Sequence, residues 1–271
     1  MIDFHVHLGR LFREDYPHRP ASGVHQLIDR MNREGIDRAV LLPLESPEGA
    51  WGYWLTEDAV AARDEYPGRL IAFVCVDPRY PNAAALIEHA VTRLGCRGFG
   101  EHVCGLALDD PLNLAIYRKC DELGLPLVIE INDDLNWDEP GLPRLERCLR
   151  EFPNVKWCGH GPAFWSAISA DDPRQGYPSA PVKQGGALDR LLAEHDNLYA
   201  DLSAFSGFNA MTRDPEFAAG FVRRHWRKLL FGTDHMWHGQ ELPIIGWLNH
   251  LDVPEAARHA IAAGNAEAVL R

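Results

Sequence analysis

The sequence lacks the features that mark membrane-spanning, secreted and nucleic-acid-binding proteins. No run approaches the roughly 20 consecutive apolar residues that a membrane-spanning helix needs. Residues 1–5 show no basic segment leading into an apolar one, as a secretion signal would. The six cysteines form no CxxC pair, so we expect small buried thiols in a reducing compartment. These absences predict a cytoplasmic protein.

Positive charge is also scarce. The 27 Lys and Arg residues are outnumbered by 39 Asp and Glu residues, which gives a formal net charge of −12. A protein of that sign repels nucleic acids and anionic membranes, so neither is expected as a partner. We expect a small-molecule substrate instead. A homodimer is compatible with the aromatic residues and with one long loop, but the sequence does not fix the oligomeric state.

Short apolar runs alternate with longer segments of helical periodicity from one end of the chain to the other. The predicted strands are 1–8, 38–44, 69–76, 97–101, 126–131, 154–160, 197–203 and 228–233. The predicted helices are 22–35, 54–66, 82–95, 111–123, 142–152, 184–195, 214–225 and 254–270.

Eight strand–helix units at a spacing of about 34 residues fit a (β/α)8 barrel. A doubly wound sheet is the main alternative, but no glycine-rich phosphate loop follows the first strand. We therefore predict an α/β protein, a single-domain (β/α)8 TIM barrel over residues 1–271.

Local signals predict where several helices begin and end. Ser22 and Thr56 are suitable N-caps, and Pro111 suits a first helical turn. Gly35 and Gly124 suit the left-handed position that follows a helix.

One connection is longer than a barrel requires. Residues 161–186, after the sixth strand, hold Asp171-Asp172-Pro173 and Tyr177-Pro178 and are expected to form an irregular loop with at most one short helix. Long loops at this end of a barrel are typical of lids and specificity elements. We predict such a role for 161–186.

The first strand contains two histidines separated by one residue. Side chains alternate along a strand, so His5 and His7 point the same way while Val6 points the other way. Two neutral imidazoles on one face can hold a divalent ion in adjacent positions. By itself an HxH pair is only moderately specific, because two polar residues on one strand can arise by chance.

Ionisable side chains also end four other predicted strands. They are Glu101, Glu130, His160 and Asp234. Catalytic residues of barrels gather at this end of the strands. Glu101 or Asp234 taken alone could cap the next helix, and His160 could serve a loop, but their joint occurrence predicts a shared site.

These motifs resemble the amidohydrolase superfamily, specifically the amidohydrolase-related group that contains decarboxylases and lactone hydrolases. The resemblance covers nearly the whole chain. It is carried by Ile2-Asp3-Phe4-His5-Val6-His7, Tyr66-Pro67-Gly68-Arg69-Leu70, Val76-Asp77-Pro78, Phe152-Pro153-Asn154-Val155, Asn197-Leu198-Tyr199-Ala200-Asp201-Leu202-Ser203, Leu230-Phe231-Gly232-Thr233-Asp234 and Gly264-Asn265-Ala266. Together the motifs are specific for the superfamily and much less so for a reaction.

The resemblance implies a metal centre at the ends of the barrel strands. The family pattern is matched by His5, His7, His160 and Asp234, but its fifth-strand histidine is replaced here by Glu130. Glu101 resembles the bridging glutamate of the deoxyribonuclease-type branch, so the predicted metal ligands are His5, His7, Glu101, Glu130, His160 and Asp234.

The number of ions follows from the charge of the three carboxylates, Glu101, Glu130 and Asp234. One divalent ion would leave one negative charge uncompensated, whereas two ions would leave one positive charge that a hydroxide neutralises. If Glu130 turns away, a single ion is favoured. We expect one or two ions, zinc first, with manganese or iron as alternatives.

Three functions are considered. The first is metal-assisted hydrolysis of an amide, lactone or ester, with Asp234 and His160 as catalytic residues. The second is non-oxidative decarboxylation, and the third is a binding module that has lost its chemistry, which the departure at Glu130 favours. Trp51, Arg213 and His235 are predicted to bind substrate, although pairing with an acidic neighbour is an alternative for Arg213.

Overall fold

Eight parallel strands alternate with helices in a computed structural model that describes residues 1–10, 19–49, 54–174 and 176–271. The strands are β1 Ile2–Val6, β2 Arg38–Leu41, β3 Leu70–Ala72, β4 Phe99–His102, β5 Pro126–Glu130, β6 Lys156–His160, β7 Leu198–Asp201 and β8 Leu229–Leu230. The helices are α1 Val24–Glu34, α2 Thr56–Glu65, α3 Ala83–Thr92, α4 Pro111–Leu123, α5 Pro143–Glu151, α6 Pro162–Ser166, α7 Ala187–Glu194, α8 Ala204–Thr212, α9 Pro215–His225, α10 Pro243–Asn249, α11 Glu255–His259 and α12 Asn265–Val269. The predicted single-domain (β/α)8 barrel is confirmed.

The barrel consists of two arcs of paired strands. One arc has the order β1-β2-β3 and the other has the order β4-β5-β6-β7-β8. A bridge between Val74 and Phe99 joins the arcs at one seam, and a bridge between Val6 and His235 joins them at the other. Only a few backbone hydrogen bonds therefore hold each seam.

The side chains of the strands divide between two apolar clusters. One cluster includes Phe4, Val40, Val128 and Leu230 together with Val269 of the last helix. Because strands from both arcs share it, this cluster fills the barrel interior. Side chains of alternate strand positions pack outward against the helices in a larger cluster. The interior at the other end of the strands is left for polar side chains.

The first strand departs from simple alternation. Its pairing with β2 shifts register between Asp3 and Val6. Val6 packs in the outer cluster, as predicted, while His5 and His7 face inward. Phe4 also belongs to the interior cluster, and the irregularity allows two consecutive side chains to face that way.

The predicted helix ends are confirmed in part. Gly35 and Gly124 adopt the left-handed conformation after α1 and α4, with φ of 70° and 62°. The predicted N-caps are wrong. The Ser22 hydroxyl hydrogen-bonds to His235, and the Thr56 hydroxyl donates to the Cys75 carbonyl, so both bind other parts of the barrel instead of their own helices.

Two helices were not predicted, α8 after β7 and α10 after β8. The first is nine residues long and contains Ser206, Gly207 and Asn209, which are poor helix formers. The second is seven residues long, too short for a reliable helical period.

The remaining fold predictions concern buried thiols, membrane spans and the long loop. All six cysteines are buried and free, as expected. Among the described residues, no helix combines the length and apolar character that crossing a bilayer requires. Residues 161–186 contain the short helix α6, and their role as a lid remains a prediction.

The seam between β8 and β1 generates a stability prediction. The buried Asp3 carboxyl accepts hydrogen bonds from the Thr233 backbone N–H (2.8 Å) and from the Thr233 hydroxyl (2.7 Å). Thr233→Val keeps the side-chain shape but removes the hydroxyl donor. We expect a loss of about 1–3 kcal/mol in the free energy of unfolding, measured by urea denaturation.

Thr233→Ser is the matched control, because it keeps the hydroxyl and loses only a methyl group. If the valine variant is as stable as the serine variant, the side-chain bond to Asp3 does not support the seam.

Candidate metal centre

Two buried imidazoles of β1 form the core of the site. The Nε2 atoms of His5 and His7 lie 3.1 Å apart. His7 Nδ1 lies 2.9 Å from the Leu42 carbonyl oxygen, which can only accept a hydrogen bond, so Nδ1 carries the proton. His5 Nδ1 donates likewise to Asp201 Oδ2 at 2.7 Å. In the neutral imidazoles both Nε2 atoms therefore present lone pairs to each other.

Two facing lone pairs at this distance require a positive species between them. Burial lowers the pKa of His5, but the carboxylates of Glu101 and Asp201 outweigh it and raise that pKa well above its usual value. A proton on His5 Nε2 satisfies the arrangement. A divalent ion satisfies it equally, because a metal ion takes the place of the proton.

Two carboxylates complete the surroundings of these nitrogens. Glu101 Oε2, from β4, lies 3.2 Å from His7 Nε2 and 3.6 Å from His5 Nε2. Asp234 Oδ1, from the segment after β8, lies 3.5 Å and 3.7 Å from the same two atoms. Four ligand atoms from three parts of the barrel thus converge on one point.

The other oxygen of Glu101 faces a second group. Glu101 Oε1 is buried and has no hydrogen-bond partner among the described residues. It lies 3.8 Å from His160 Nε2, which is itself 3.9 Å from Glu130 Oε2. Glu101 therefore lies between two groups of predicted ligands. One group is His5, His7 and Asp234, and the other is Glu130 and His160.

This donor set fits a divalent metal ion. An unpaired buried carboxylate oxygen is costly, and a cation between Glu101 and His160 would satisfy it. Mixed imidazole and carboxylate ligands are accepted by zinc, manganese and iron. The geometry brings together all six predicted ligands.

The replacement at the fifth strand changes the charge of the site. Burial and the nearby carboxylates of Glu101 and Asp234 raise the pKa of Glu130 well above its usual value. The Glu130 side chain is about 20% exposed, and it lines the cavity above the site. Without a cation beside it, Glu130 therefore binds a proton more readily than an ordinary glutamate does.

Asp201 and Ser203 orient the histidines, a role that the sequence analysis did not assign. Asp201 is fully buried beside His5, and the Ser203 hydroxyl lies 2.9 Å from His160 Nδ1. Such partners fix the tautomer and direction of a metal-binding imidazole. The alternation Asp201-Leu202-Ser203 at the end of β7 was a signal that could have found them.

A glycine permits this close packing. A Cβ at Gly232 would lie 2.7 Å from Asp201 Oδ1 and 3.0 Å from the His5 Cβ. Only a residue without a side chain lets the end of β8 approach the pair.

Asn136 fixes the spacing between the two glutamate-bearing strands. Its buried amide donates to the His102 carbonyl at 2.7 Å and to the Glu130 carbonyl at 3.0 Å. One side chain thereby ties the end of β4 to the end of β5. No sequence pattern indicated this role, because Asn136 lies in an irregular loop.

Asp234 has an unusual backbone conformation for a residue other than glycine. Its φ is 54°, in the left-handed region. Its N–H donates to the His5 carbonyl at 2.9 Å, and its carbonyl accepts from Gln240 Nε2 at 2.9 Å. These bonds hold a conformation that aims the carboxylate at the histidines.

A cavity of about 360 Å³ opens above the centre. It is lined by three of the predicted ligands, Glu130, His160 and Asp234, and by residues of α6, α8, α10 and the neighbouring loops. A volume of this size suits a small molecule.

The predicted substrate-binding residues lie elsewhere or outside the described residues. Trp51 falls in the stretch 50–53, which the structure does not describe. Arg213 is half-buried at the end of α8, does not line the cavity, and donates to Asn209 at 3.3 Å. The buried His235 imidazole also lies off the cavity lining, where burial lowers its pKa to about 3. Their substrate roles remain predictions.

Comparison with known families gives one match along the chain. The family model described as amidohydrolase matches residues 2–271. A comparison with curated protein sequences finds no match.

Several solved structures share the fold at low sequence identity. A TIM-barrel protein from Bordetella bronchiseptica has a TM-score of 0.70 at 17% identity and covers 100% of this chain and 98% of its own. A probable 2-pyrone-4,6-dicarboxylic acid hydrolase from Acinetobacter baumannii has a TM-score of 0.64 at 16% identity, with 99% and 98% covered. A dihydroxybenzoic acid decarboxylase from Polaromonas, with bound manganese, has a TM-score of 0.59 at 15% identity, with 99% and 96% covered.

The hydrogen bond from His5 to Asp201 generates a prediction about metal affinity. Asp201→Asn removes the charge that holds His5 in its metal-binding tautomer. We expect the affinity for Zn²⁺ or Mn²⁺, measured by isothermal titration calorimetry, to fall by about 10- to 100-fold.

Asp189→Asn is the control, because Asp189 also binds an imidazole, that of His225, away from the site. Equal affinities of the two variants would contradict the role of Asp201. If the unaltered protein binds neither metal, the alternative of a binding module without chemistry gains support.

The raised pKa of His5 predicts how the stability of the protein depends on pH. The measurement uses protein from which EDTA has removed any metal. Protonated His5 stabilises the fold through Glu101 and Asp201. This contribution is fully present below the ordinary histidine pKa of 6.5 and is lost as pH rises through the higher folded-state pKa.

His5→Gln removes the titrating group and serves as the reference. The difference in free energy of unfolding between the two proteins should be largest below pH 6.5 and shrink in alkaline solution. A difference that grows with pH would contradict the assignment of charge to His5.

Proposed function

The chain belongs to the amidohydrolase family, and from this premise we propose that it is a metal-dependent hydrolase that cleaves an amide, lactone or ester bond of a small molecule. The observation that carries the proposal is the convergence of the His5 and His7 Nε2 atoms with the carboxylates of Glu101 and Asp234. Asp234 also lines the cavity, so the ligands meet where a substrate would enter.

The principal ion would be held by His5, His7, Glu101 and Asp234. A second position lies between Glu101 Oε1, Glu130 and His160. We propose zinc, with manganese or iron as alternatives, and the manganese bound by the Polaromonas relative supports a divalent ion. A bound ion would act as a Lewis acid and lower the pKa of water.

We assign proton transfer and carbonyl binding to different side chains. The Asp234 carboxylate is 14% exposed, whereas the imidazoles of His5 and His7 are 0% and 2% exposed, so Asp234 can reach a water in the cavity. We assign it to accept the proton of the attacking water and return it to the leaving group. His160, held by Ser203, orients the scissile carbonyl.

Non-oxidative decarboxylation is the second candidate, and Glu130 is the observation that favours it. In this reading a single ion is held by His5, His7, Glu101 and Asp234, and Glu130 is not a ligand. The Glu130 carboxyl lines the cavity and its pKa is raised, so it is placed to deliver a proton to a carbanion carbon after CO₂ leaves. The fold likeness to the Polaromonas decarboxylase is compatible with this reaction. Incorporation of ¹⁸O from labelled water into product indicates hydrolysis, whereas release of CO₂ indicates decarboxylation.

The role of Asp234 generates a prediction for turnover. With a substrate found by screening amides, lactones and esters against the metal-loaded enzyme, Asp234→Asn should lower kcat by about 10²- to 10⁴-fold, because the general base is lost. Circular dichroism and metal content measure whether the fold and the site survive.

Asp252→Asn is the control, because Asp252 is exposed and lies outside the cavity lining. A folded Asp234→Asn variant with full activity would show that Asp234 is not the base.

A further inference from the structure

The outer part of the cavity has a charge distribution of its own. We define it by Tyr177, Phe205, Trp237 and Glu241, which line the cavity and are not among the metal ligands. No lysine or arginine is present among the described residues that line the cavity. Among the described lining residues, the carboxylate of Glu241 is therefore the only formal charge in this outer part.

Glu241 forms no ion pair within the described part of the chain. It is exposed, and neither a hydrogen bond nor an ion pair of its side chain is found there. The guanidinium of Arg19 stacks on the Trp237 ring at 4.6 Å from its centroid, and Arg19 is not a lining residue. A metal ion would compensate the negative charges of Glu130 and Asp234 at the inner end of the cavity. It would not compensate the charge of Glu241, which belongs to the outer part.

The rest of the outer part is aromatic. The Tyr177 and Phe205 side chains are 57% and 51% exposed, although both are large and carry extensive apolar surface. Exposed aromatic surface beside a cavity is typical of a binding site. The faces of aromatic rings attract cations and planar apolar groups and disfavour anions.

The net charge of the whole chain also favours cations over anions near the cavity. An excess of 12 negative charges raises the local concentration of cations and lowers that of anions near an acidic cavity.

Resting on the proposed function, we infer that the substrate is a neutral or cationic molecule with a planar apolar body, and that its non-reacting end carries no carboxylate. An anionic end would lie beside the Glu241 carboxylate, and the described lining offers it no lysine or arginine, whereas an ammonium group would pair with Glu241 and contact the rings. Glu241 is thus the specificity-determining residue at this end of the cavity.

The test uses three para-substituted benzohydroxamates, which bind a metal through one common head group and differ only in the para group. The groups are methyl, aminomethyl and carboxyl. We expect the Mn²⁺-loaded protein to bind the methyl and aminomethyl compounds at least about tenfold more tightly than the carboxyl compound, as measured by calorimetry at fixed ionic strength.

Glu241→Lys should remove or reverse this preference. Glu255→Lys is the matched control, because Glu255 is an exposed glutamate at the start of α11 and does not line the cavity. It makes the same change in net charge and should keep the preference of the unaltered protein.

The outcomes separate the inference from the function on which it rests. Binding of the carboxyl compound as tightly as the other two overturns the inference and leaves the metal centre intact. An unchanged preference in Glu241→Lys overturns the role of Glu241. If none of the three compounds binds, the proposed metal centre fails and the inference fails with it.

Discussion

The site depends on one electrostatic constraint. Buried imidazole lone pairs and buried carboxylates repel one another, so they need a cation between them. The Nε2 atoms of His5 and His7 lie 3.1 Å apart, and the carboxylates of Glu101 and Asp234 surround them. Neither set is stable alone in a buried place, because lone pairs and negative charges repel there. The contacts of the His5 and His7 Nδ1 atoms with Asp201 and Leu42 serve this arrangement, since they leave both Nε2 atoms facing each other.

Most of the fold follows from local patterns in the sequence. Apolar runs and helical periods predicted all eight strand–helix units, and glycines such as Gly35 marked helix ends. The failures have physical causes. Ser22 has the composition of an N-cap, but a tertiary partner, His235, takes its hydroxyl. The helices α8 and α10 are too short or too rich in poor helix formers for a pattern to predict them.

The six predicted ligands could be found from the sequence because each lies at or just beyond the C-terminal part of a strand, and these parts meet at one face of a barrel. The places of Glu101 and Glu130 in the site could therefore be predicted once their two strands had been assigned. Asn136 did not follow from any pattern, since its amide joins two carbonyls from an irregular loop. The lining of the outer cavity was missed for a similar reason, because Phe205 lies on one of the helices that the sequence did not predict.

The division of the barrel into two arcs has a consequence for how the protein holds together. His5 and His7 belong to the three-stranded arc, whereas Glu101 and His160 belong to the five-stranded arc, with Asp234 just beyond it. An ion bound by all of them would link the two arcs across both seams, which among the described residues are joined by isolated bridges and a few further hydrogen bonds. Metal binding and closure of the barrel would then be coupled, so that a bound ion would also stabilise the fold.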